Sequence, residues 1–547
     1  MLGALYFRTT SLSSTQVEKA ERIEKINSVC YNVLHVILTP DDSCTGRKLR
    51  PMEFEWKKGR CYPDTRQTVI TFITNWLSDN TTHEKPVTWL HGLAGSGKST
   101  IATTIAEDML NRGQLGAFFY FDRDQPGRNA NGLIRTLVYQ LAISNAEIGV
   151  VIDKIVDRFG DIPSTPLNFQ FTKLLSARAL QAVNWKGDPL VFVIDALDEC
   201  GTSEDRESLL DAFSRGFSHL APFIRILIVS RPEADIRETF ESNPFVLPYE
   251  LDIYSKENKE DIWNYFRARL DKIRKRWACE PIWPINGTID ILEKNSAGLM
   301  IWAETACLYI DRFRPQDHLL ELLHQGTVTT SAKPFDRLDK LYKVAIQSSG
   351  SWEDSSYAVA CCSMFGMIAC ARIPLSFSAI SILTGIPTAQ ILSASGFGCL
   401  LQWSEIQPVR VLHPSFQDYL TERACDEPWF IDIEKHNQEI AVQCMAYLKA
   451  NLHNNISGLS LDQQHQVPQL SEALDYACRY WIEHLVVLKS PGDHVRDLIS
   501  DLINEDLLHW IEALAFLKEY SQTIHLLNNL LNWTKVRHPI SIELMLI

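Results

Sequence analysis

Apolar residues along this chain follow two patterns, and the change from one to the other sets out the expected architecture. In the first half, short continuous runs recur: Val87-Thr88-Trp89-Leu90-His91, Leu190-Val191-Phe192-Val193-Ile194 and Arg225-Ile226-Leu227-Ile228-Val229. Runs of this length without alternation predict strands buried on both faces, as in a parallel sheet. Apolar residues at helical spacing predict a helix from Ser99 to Leu110, closed by Asn111-Arg112-Gly113. From about residue 251 onward the pattern is helical, with helices expected over Lys256 to Lys275, Ile289 to Phe313, and Phe335 to about Ser348. Tyr357 to Ala371 is uncharged and suits a buried core helix. Ile373 to Ser404 is also uncharged, but Pro374, Gly385, Pro387, Gly396 and Gly398 interrupt it. It predicts two short helices and a turn, not the ~20 consecutive apolar residues of a membrane span. A further helical stretch runs from Leu507 to Asn532. Near the start, Val17, Ala20, Ile23, Ile26, Cys30, Val33, Leu34 and Ile37 share one side of an amphipathic helix. The linker after it is marked by Thr39-Pro40-Asp41-Asp42-Ser43 and Gly46-Arg47-Lys48.

Five pieces follow: 1–55, the helix and linker; 56–250, an α/β domain with helices on both faces of a parallel sheet; 251–345, mainly helical; 346–425; and 426–547, helical throughout. A chain of 547 residues is ample for such a division. Apolar and charged fractions of 46% and 22% are those of a soluble globular protein. A net charge of −14 and a pI near 5.6 argue against a protein built to grip nucleic acid. The basic cluster Arg267, Arg269, Lys272, Arg274, Lys275 and Arg276 alternates with apolar residues and reads as a solvated helix face. The thirteen cysteines show no metal-ligand spacing and, without a signal peptide, are expected as reduced thiols of a cytoplasmic protein.

The chemistry concentrates in Gly92-Leu93-Ala94-Gly95-Ser96-Gly97-Lys98-Ser99, which fits G-x-x-x-x-G-K-[ST] between the first strand and the first helix. Glycines let the backbone wrap a phosphate, and loop N–H groups with the helix N-terminus point at the anion. Lys98 is expected on the outer phosphates and Ser99 on Mg²⁺. The second strand ends in Asp195-Ala196-Leu197-Asp198-Glu199. Asp195 is expected to hold Mg²⁺. Asp198 or Glu199 would position or deprotonate a water, and the longer reach of Glu199 favours it without separating the pair. The third strand ends in Ser230-Arg231-Pro232, where Arg231 is either a contact to the γ-phosphate or a solvated side chain.

HGLAGSGKST, LGAFFYFDRD, LVFVIDALDEC and ILIVSRPEADIR, in that order, resemble the NACHT ATPases of many fungal proteins, within the STAND group of signal-transducing ATPases. LHPSFQDYL (Leu412 to Leu420) resembles the family's winged-helix segment, and EALDYACRYWIEHL (Glu472 to Leu485) the helical segment after it. The likeness runs from about Gly59 to Leu485. It implies an α/β P-loop NTPase followed by an all-α helical domain, a winged-helix domain (346–425) and a C-terminal helical region. It further implies ATP/ADP and Mg²⁺ as cofactors, with Gly92 through Thr100 around the phosphates.

The resemblance makes His413 the residue on the diphosphate of ADP; on its own chemistry an isolated histidine before a proline is more often a satisfied structural residue. It also places Gly59-Arg60-Cys61-Tyr62-Pro63-Asp64-Thr65-Arg66, with Pro63 and Thr65, near the adenine. Pro63-Asp64-Thr65 also makes an ordinary helix start before Val69, Ile70, Phe72 and Ile73. The Gly-x-Pro step of related proteins is absent from Ser296-Ala297-Gly298-Leu299-Met300-Ile301, so adenine over guanine rests on the family alone.

The function so implied is a nucleotide switch that hydrolyses ATP slowly and oligomerises when active, in NLR-like innate recognition or cell-death signalling of fungi. A protein partner would bind through the N-terminal helix or the C-terminal helical region. The competing class is an inert scaffold holding structural ADP; a P-loop kinase or DNA-handling ATPase is a third reading. Residues 486–547 show no repeat signature, which is expected of a lost sensor, a truncated gene model or a short regulatory member.

Overall fold

The computed structural model describes Leu49, Met52 and residues 59–537, apart from 79–83, 124, 126, 160, 326–332, 406, 457–469, 490, 491 and 518. The amphipathic helix from Val17 to Ile37 and its linker lie outside the described residues. The chain forms two compact units, one through Leu93 with Gly97–Asp252, the other Ala94–Ser96 with Ile253 onward.

In chain order the first unit contains α1 (Gln67–Ser78), β1 (Val87–His91), α2 (Lys98–Asn111), β2 (Leu115–Tyr120), α3 (Ala130–Ser144), α4 (Ala146–Phe159) and α5 (Leu167–Leu174). There follow β3 (Leu190–Asp195), α6 (Ser203–Gly216), β4 (Ile224–Ser230), α7 (Ala234–Glu241) and β5 (Val246–Glu250). The strands pair in the order β2-β3-β4-β1-β5, all parallel. Along β3, Leu190, Phe192 and Ile194 enter one core with α3 to α6, while Val191 and Val193 enter the other with α1 and α2. Because successive side chains point to opposite faces, a strand covered on both sides must be apolar at every position. Register sets His91 opposite Ser230 and Tyr120 opposite Asp195, so the carboxyl ends of these strands form one edge of the sheet.

The second unit is helical: α8 (Lys256–Arg276), α9 (Thr288–Ser296), α10 (Met300–Ile310), α11 (Pro315–Gln325), α12 (Pro334–Gln347), α13 (Ser355–Cys370), α14 (Phe377–Thr384) and α15 (Thr388–Ala394). An antiparallel pair follows, β6 (Leu401–Gln402) with β7 (Arg410–Val411). Then come α16 (Pro414–Asp418), α17 (Ile433–Asn451), α18 (Glu472–Val486), α19 (Asp493–Asp501), α20 (Leu507–Phe516) and α21 (Tyr520–Arg537). One apolar core extends from Ile253 to Trp533. Among the described residues no helix is long and apolar enough to cross a membrane.

Two expected helices are each divided. The single helix over Ile289 to Phe313 is α9 and α10, because Ala297 (φ 48°) and Gly298 (φ 81°) turn the chain between them. A Cβ on Gly298 would stand 2.1 Å from the carbonyl oxygen of Ile253. Asn258 Nδ2 ties the break down by donating to the carbonyls of Ile253 (2.6 Å) and Gly298 (2.9 Å). The stretch from Leu507 to Asn532 is α20 and α21. Leu517 N donates to Ala513 O and Glu519 N reaches back to Leu514 O, both at 2.9 Å, a pattern that ends a helix.

Helix α18 is anchored by polar groups as well as apolar ones. Tyr476 accepts from Arg372 N (3.1 Å), so its one hydroxyl hydrogen goes to His484 Nε2 (2.6 Å). His484 Nδ1–H then donates to Asn437 Oδ1 on α17 (2.7 Å), which also accepts from Arg372 Nη2 (3.2 Å). His484 is fully buried. Burial, with Arg372 adding to it, holds the imidazole well below its usual pKa; Arg372 is itself paired with Glu483. The unfolded chain takes up a proton near pH 6.5 and the folded chain does not. His484 therefore makes stability fall as pH drops below about 6.5, by up to about 1.4 kcal/mol per pH unit. His91, lowered to about 4 by burial, adds slope of the same sign, so stability measured by denaturant from pH 8 to 5 should fall less steeply in His484→Gln than in the native chain; equal slopes would refute the contribution of His484.

Candidate functional site

Between β1 and α2 the chain reverses through Gly95 (φ 76°) and Gly97 (φ 94°), conformations that a Cβ opposes. Gly97 is the N-cap of the fourteen-residue α2 and no side chain caps it. The first-turn N–H groups, with Ser99 among them, lie at the positive end of the helix dipole, where an anion would be favoured. Lys98 is nearly buried, and its Nζ donates to the carbonyls of Gly92 (2.8 Å) and Leu93 (2.9 Å). Burial lowers its pKa to about 8, Arg231 acting in the same direction, while the carboxylates of Asp198, Asp195 and Glu199 oppose the shift.

Asp195 closes β3, 2% exposed, with Oδ1 accepting from Ala196 N at 2.9 Å. Ala196 stands in the left-handed region (φ 57°), a strained position for a residue with a Cβ. It turns the chain into the short helical turn Leu197–Glu199. Asp198 there accepts from Arg231 N (2.9 Å) and pairs with Arg231 Nε (3.2 Å), both side chains largely buried. β4 runs between β1 and β3, so Arg231 at its tip stands between the phosphate-loop strand and the acidic strand. Its side chain keeps 20% of its surface exposed and is paired with Asp198. Asp198 is committed to this arginine, and Glu199, also buried, is the neighbouring carboxylate.

The segment before α1 is stitched to α2. Arg60 pairs with Glu107 (3.1 Å) and Asp108 (2.7 Å), and Cys61 N donates to Thr104 Oγ1 (2.9 Å). Thr104 in turn donates to Thr100 O, and Thr100 Oγ1 to Gly97 O, each at 2.7 Å. Pro63 is exposed; Thr65 is buried, its hydroxyl donating to Tyr62 O at 2.6 Å. The helix does not begin on Pro63-Asp64-Thr65 as its composition predicts. Asp64 and Arg66 take positive φ (63° and 60°), and α1 starts at Gln67. This turn buries Arg66 and brings its Nη2 to 3.7 Å from the point a Cβ on Gly97 would occupy. The positive φ that places Arg66 beside the phosphate loop leaves no mark in composition, so the sequence assigned it no role.

Gly92–Thr100, Asp195, Asp198, Glu199 and Arg231 thus share the carboxyl edge of the sheet. His413 lies in the second unit as N-cap of α16. The loop residues that group with that unit are Ala94–Ser96. Gly95 O accepts from Ile301 N (3.0 Å), and a Cβ on Gly95 would stand 3.8 Å from His413 Cε1.

A glycine-rich loop capping a helix, on a parallel sheet with one strand between it and the acidic strand, defines a P-loop NTPase. Residues 69–231, under a third of the chain, match the family model described as Nephrocystin 3, N-terminal. Comparison with curated proteins returns no match. Among solved structures, a STAND protein with a tetratricopeptide-repeat sensor from Pyrococcus horikoshii aligns over 89% of this chain at 12% identity and TM-score 0.41. The chain spans 60% of that protein's length. Drosophila ORC bound to DNA aligns over 72% of this chain and 98% of its own, at 12% identity and TM-score 0.28.

The Asp198–Arg231 pair makes a prediction of its own. Asp198→Ala leaves a largely buried guanidinium and an N–H without their acceptor, and should cost about 1–3 kcal/mol. Asp198→Asn, which keeps an acceptor for the N–H, should cost less. Thermal midpoints of the two variants check the order; an unchanged midpoint for Asp198→Ala would show that the pair contributes nothing.

Proposed function

We propose that this chain is an ATP/ADP-operated signalling switch of the NLR-like kind, with slow Mg²⁺-dependent hydrolysis. The observation that carries the reading is the convergence on Lys98 of Asp198, Arg231, Asp195 and Glu199, each near enough to act on its charge. A loop serving only as a surface turn has no use for a buried lysine among three carboxylates.

The residues fit a magnesium nucleotide. The loop N–H groups and Lys98 hold the phosphates, Lys98 exchanging its two carbonyl partners for phosphate oxygens. Ser99 and Asp195 are the ligands for Mg²⁺, which when bound would neutralise charge on the outer phosphates. Glu199 orients the attacking water, its longer side chain reaching further than that of Asp198. Arg231 senses the γ-phosphate by dividing its hydrogen bonds between that group and Asp198. Thr65 and Pro63 belong to the adenine side, and Arg66 adds a cation beside Gly97. The three helices α13 to α15 and the β6–β7 pair support a winged-helix domain, from which His413 contacts the diphosphate. ADP would favour the form in which that contact is made and ATP the form that self-associates, each by its difference in affinity for the two.

Lys98→Ala should lower ATP affinity by a hundredfold or more, and retained micromolar binding in a fluorescent-nucleotide titration would sink the site. Glu199→Gln should keep binding while phosphate release falls at least tenfold; normal turnover moves the base elsewhere. Light scattering after ADP and then ATP–Mg²⁺ loading tests the switch. Assembly only with ATP is expected, whereas ADP that never exchanges is the outcome of an inert scaffold.

A further inference from the structure

His413 is held in one protonation pattern by groups that the mechanism above does not use. As N-cap of α16 it accepts at Nδ1 from Ser415 N, 3.1 Å away. A backbone N–H only donates, so Nδ1 carries no proton. Ser415 Oγ lies 2.7 Å from the same nitrogen, and the Tyr342 hydroxyl lies 2.8 Å from Ser415 Oγ. With Nδ1 bare, the hydrogens run one way: Tyr342 O–H to Ser415 Oγ, and Ser415 O–H to His413 Nδ1. Ser415 is fully buried and Tyr342 is 1% exposed.

Helix α12 secures Ser415 twice. Tyr342 holds its hydroxyl. Asp339, one turn earlier, binds Arg423 Nε through both oxygens (3.1 and 2.9 Å), and Arg423 Nη2 donates to Ser415 O (3.0 Å). Phe416 and Tyr419 pack their rings on Tyr342.

We propose that Ser415, backed by Tyr342, is a positioning residue that fixes His413 as the Nε2–H tautomer and so makes it a hydrogen-bond donor to a nucleoside diphosphate. This rests on the reading of His413 as the diphosphate contact. Phosphate oxygens only accept, so a ring with a bare Nε2 would repel them. Two donors on Nδ1, the N–H and the O–H of one residue, decide which ring edge can donate. A helix cap alone needs only the N–H; the buried hydroxyl relay back to α12 is what the cap does not require.

Two measurements on the full chain test this. Ring ¹⁵N spectra, with His413→Gln for assignment, should show Nδ1 unprotonated and Nε2 protonated at neutral pH; a protonated Nδ1 overturns the proposal outright. Release of a fluorescent ADP analogue, chased with unlabelled ADP, should be roughly 5–10-fold faster in Ser415→Ala, as expected for one lost hydrogen bond. Ser415→Thr should restore it, and Tyr342→Phe, which keeps the serine hydroxyl, should fall between. In a His413→Ala background the serine change should add nothing. An equal acceleration there would make Ser415 merely structural and overturn the proposal. If His413→Ala alone leaves ADP release unchanged, the diphosphate reading fails, and the ring nitrogens still decide whether Ser415 sets the tautomer.

Discussion

Burial of β3 and β4 on both faces is the constraint on which the nucleotide unit depends. A central strand that is apolar at every position cannot place a charged group along its length, so its polar residues collect where it leaves the sheet. Asp195 ends β3 and Arg231 follows β4, and parallel pairing brings both to the edge where β1 hands over to the phosphate loop. The site is a consequence of the core: the packing that forbids charge inside the sheet concentrates it at one end. Shortening or shifting either strand by one residue would exchange its two faces and carry the tip side chain out of place with it.

At that edge the charges nearly balance. Lys98 and Arg231 are two cations among the three carboxylates of Asp195, Asp198 and Glu199, a formal surplus of one negative charge in a largely buried setting. Pairing Arg231 with Asp198 keeps the arginine compensated when no phosphate is near.

Those parts of the fold that depend on local pattern were legible in the sequence. The runs forming β1, β3 and β4 stand out because burial on two faces demands unbroken apolar residues, and the phosphate loop because each fixed position has its own chemistry. β5 does not stand out: as an edge strand it is partly exposed and carries Pro248, which a central strand would exclude. The helix breaks at Gly298 and Leu517 escaped because the residues around them keep helical spacing. At the site, the Asp198–Arg231 pair joins residues 33 apart and the Tyr342–Ser415 bond residues 73 apart. No window along the chain contains either, and the backbone twist that brings Arg66 to Gly97 leaves no trace in residue type.

The second unit treats its two best-placed histidines in opposite ways. His484 is sealed, with both ring nitrogens consumed by Tyr476 and Asn437. It can stabilise one packing of α17 against α18, and a proton there can only loosen it. His413 is half-buried, and its Nδ1 accepts from Ser415 N. A satisfied core histidine and a ligand-facing one cannot be told apart by sequence position or by the proline that follows. His484 is the satisfied kind, with a partner on each ring nitrogen.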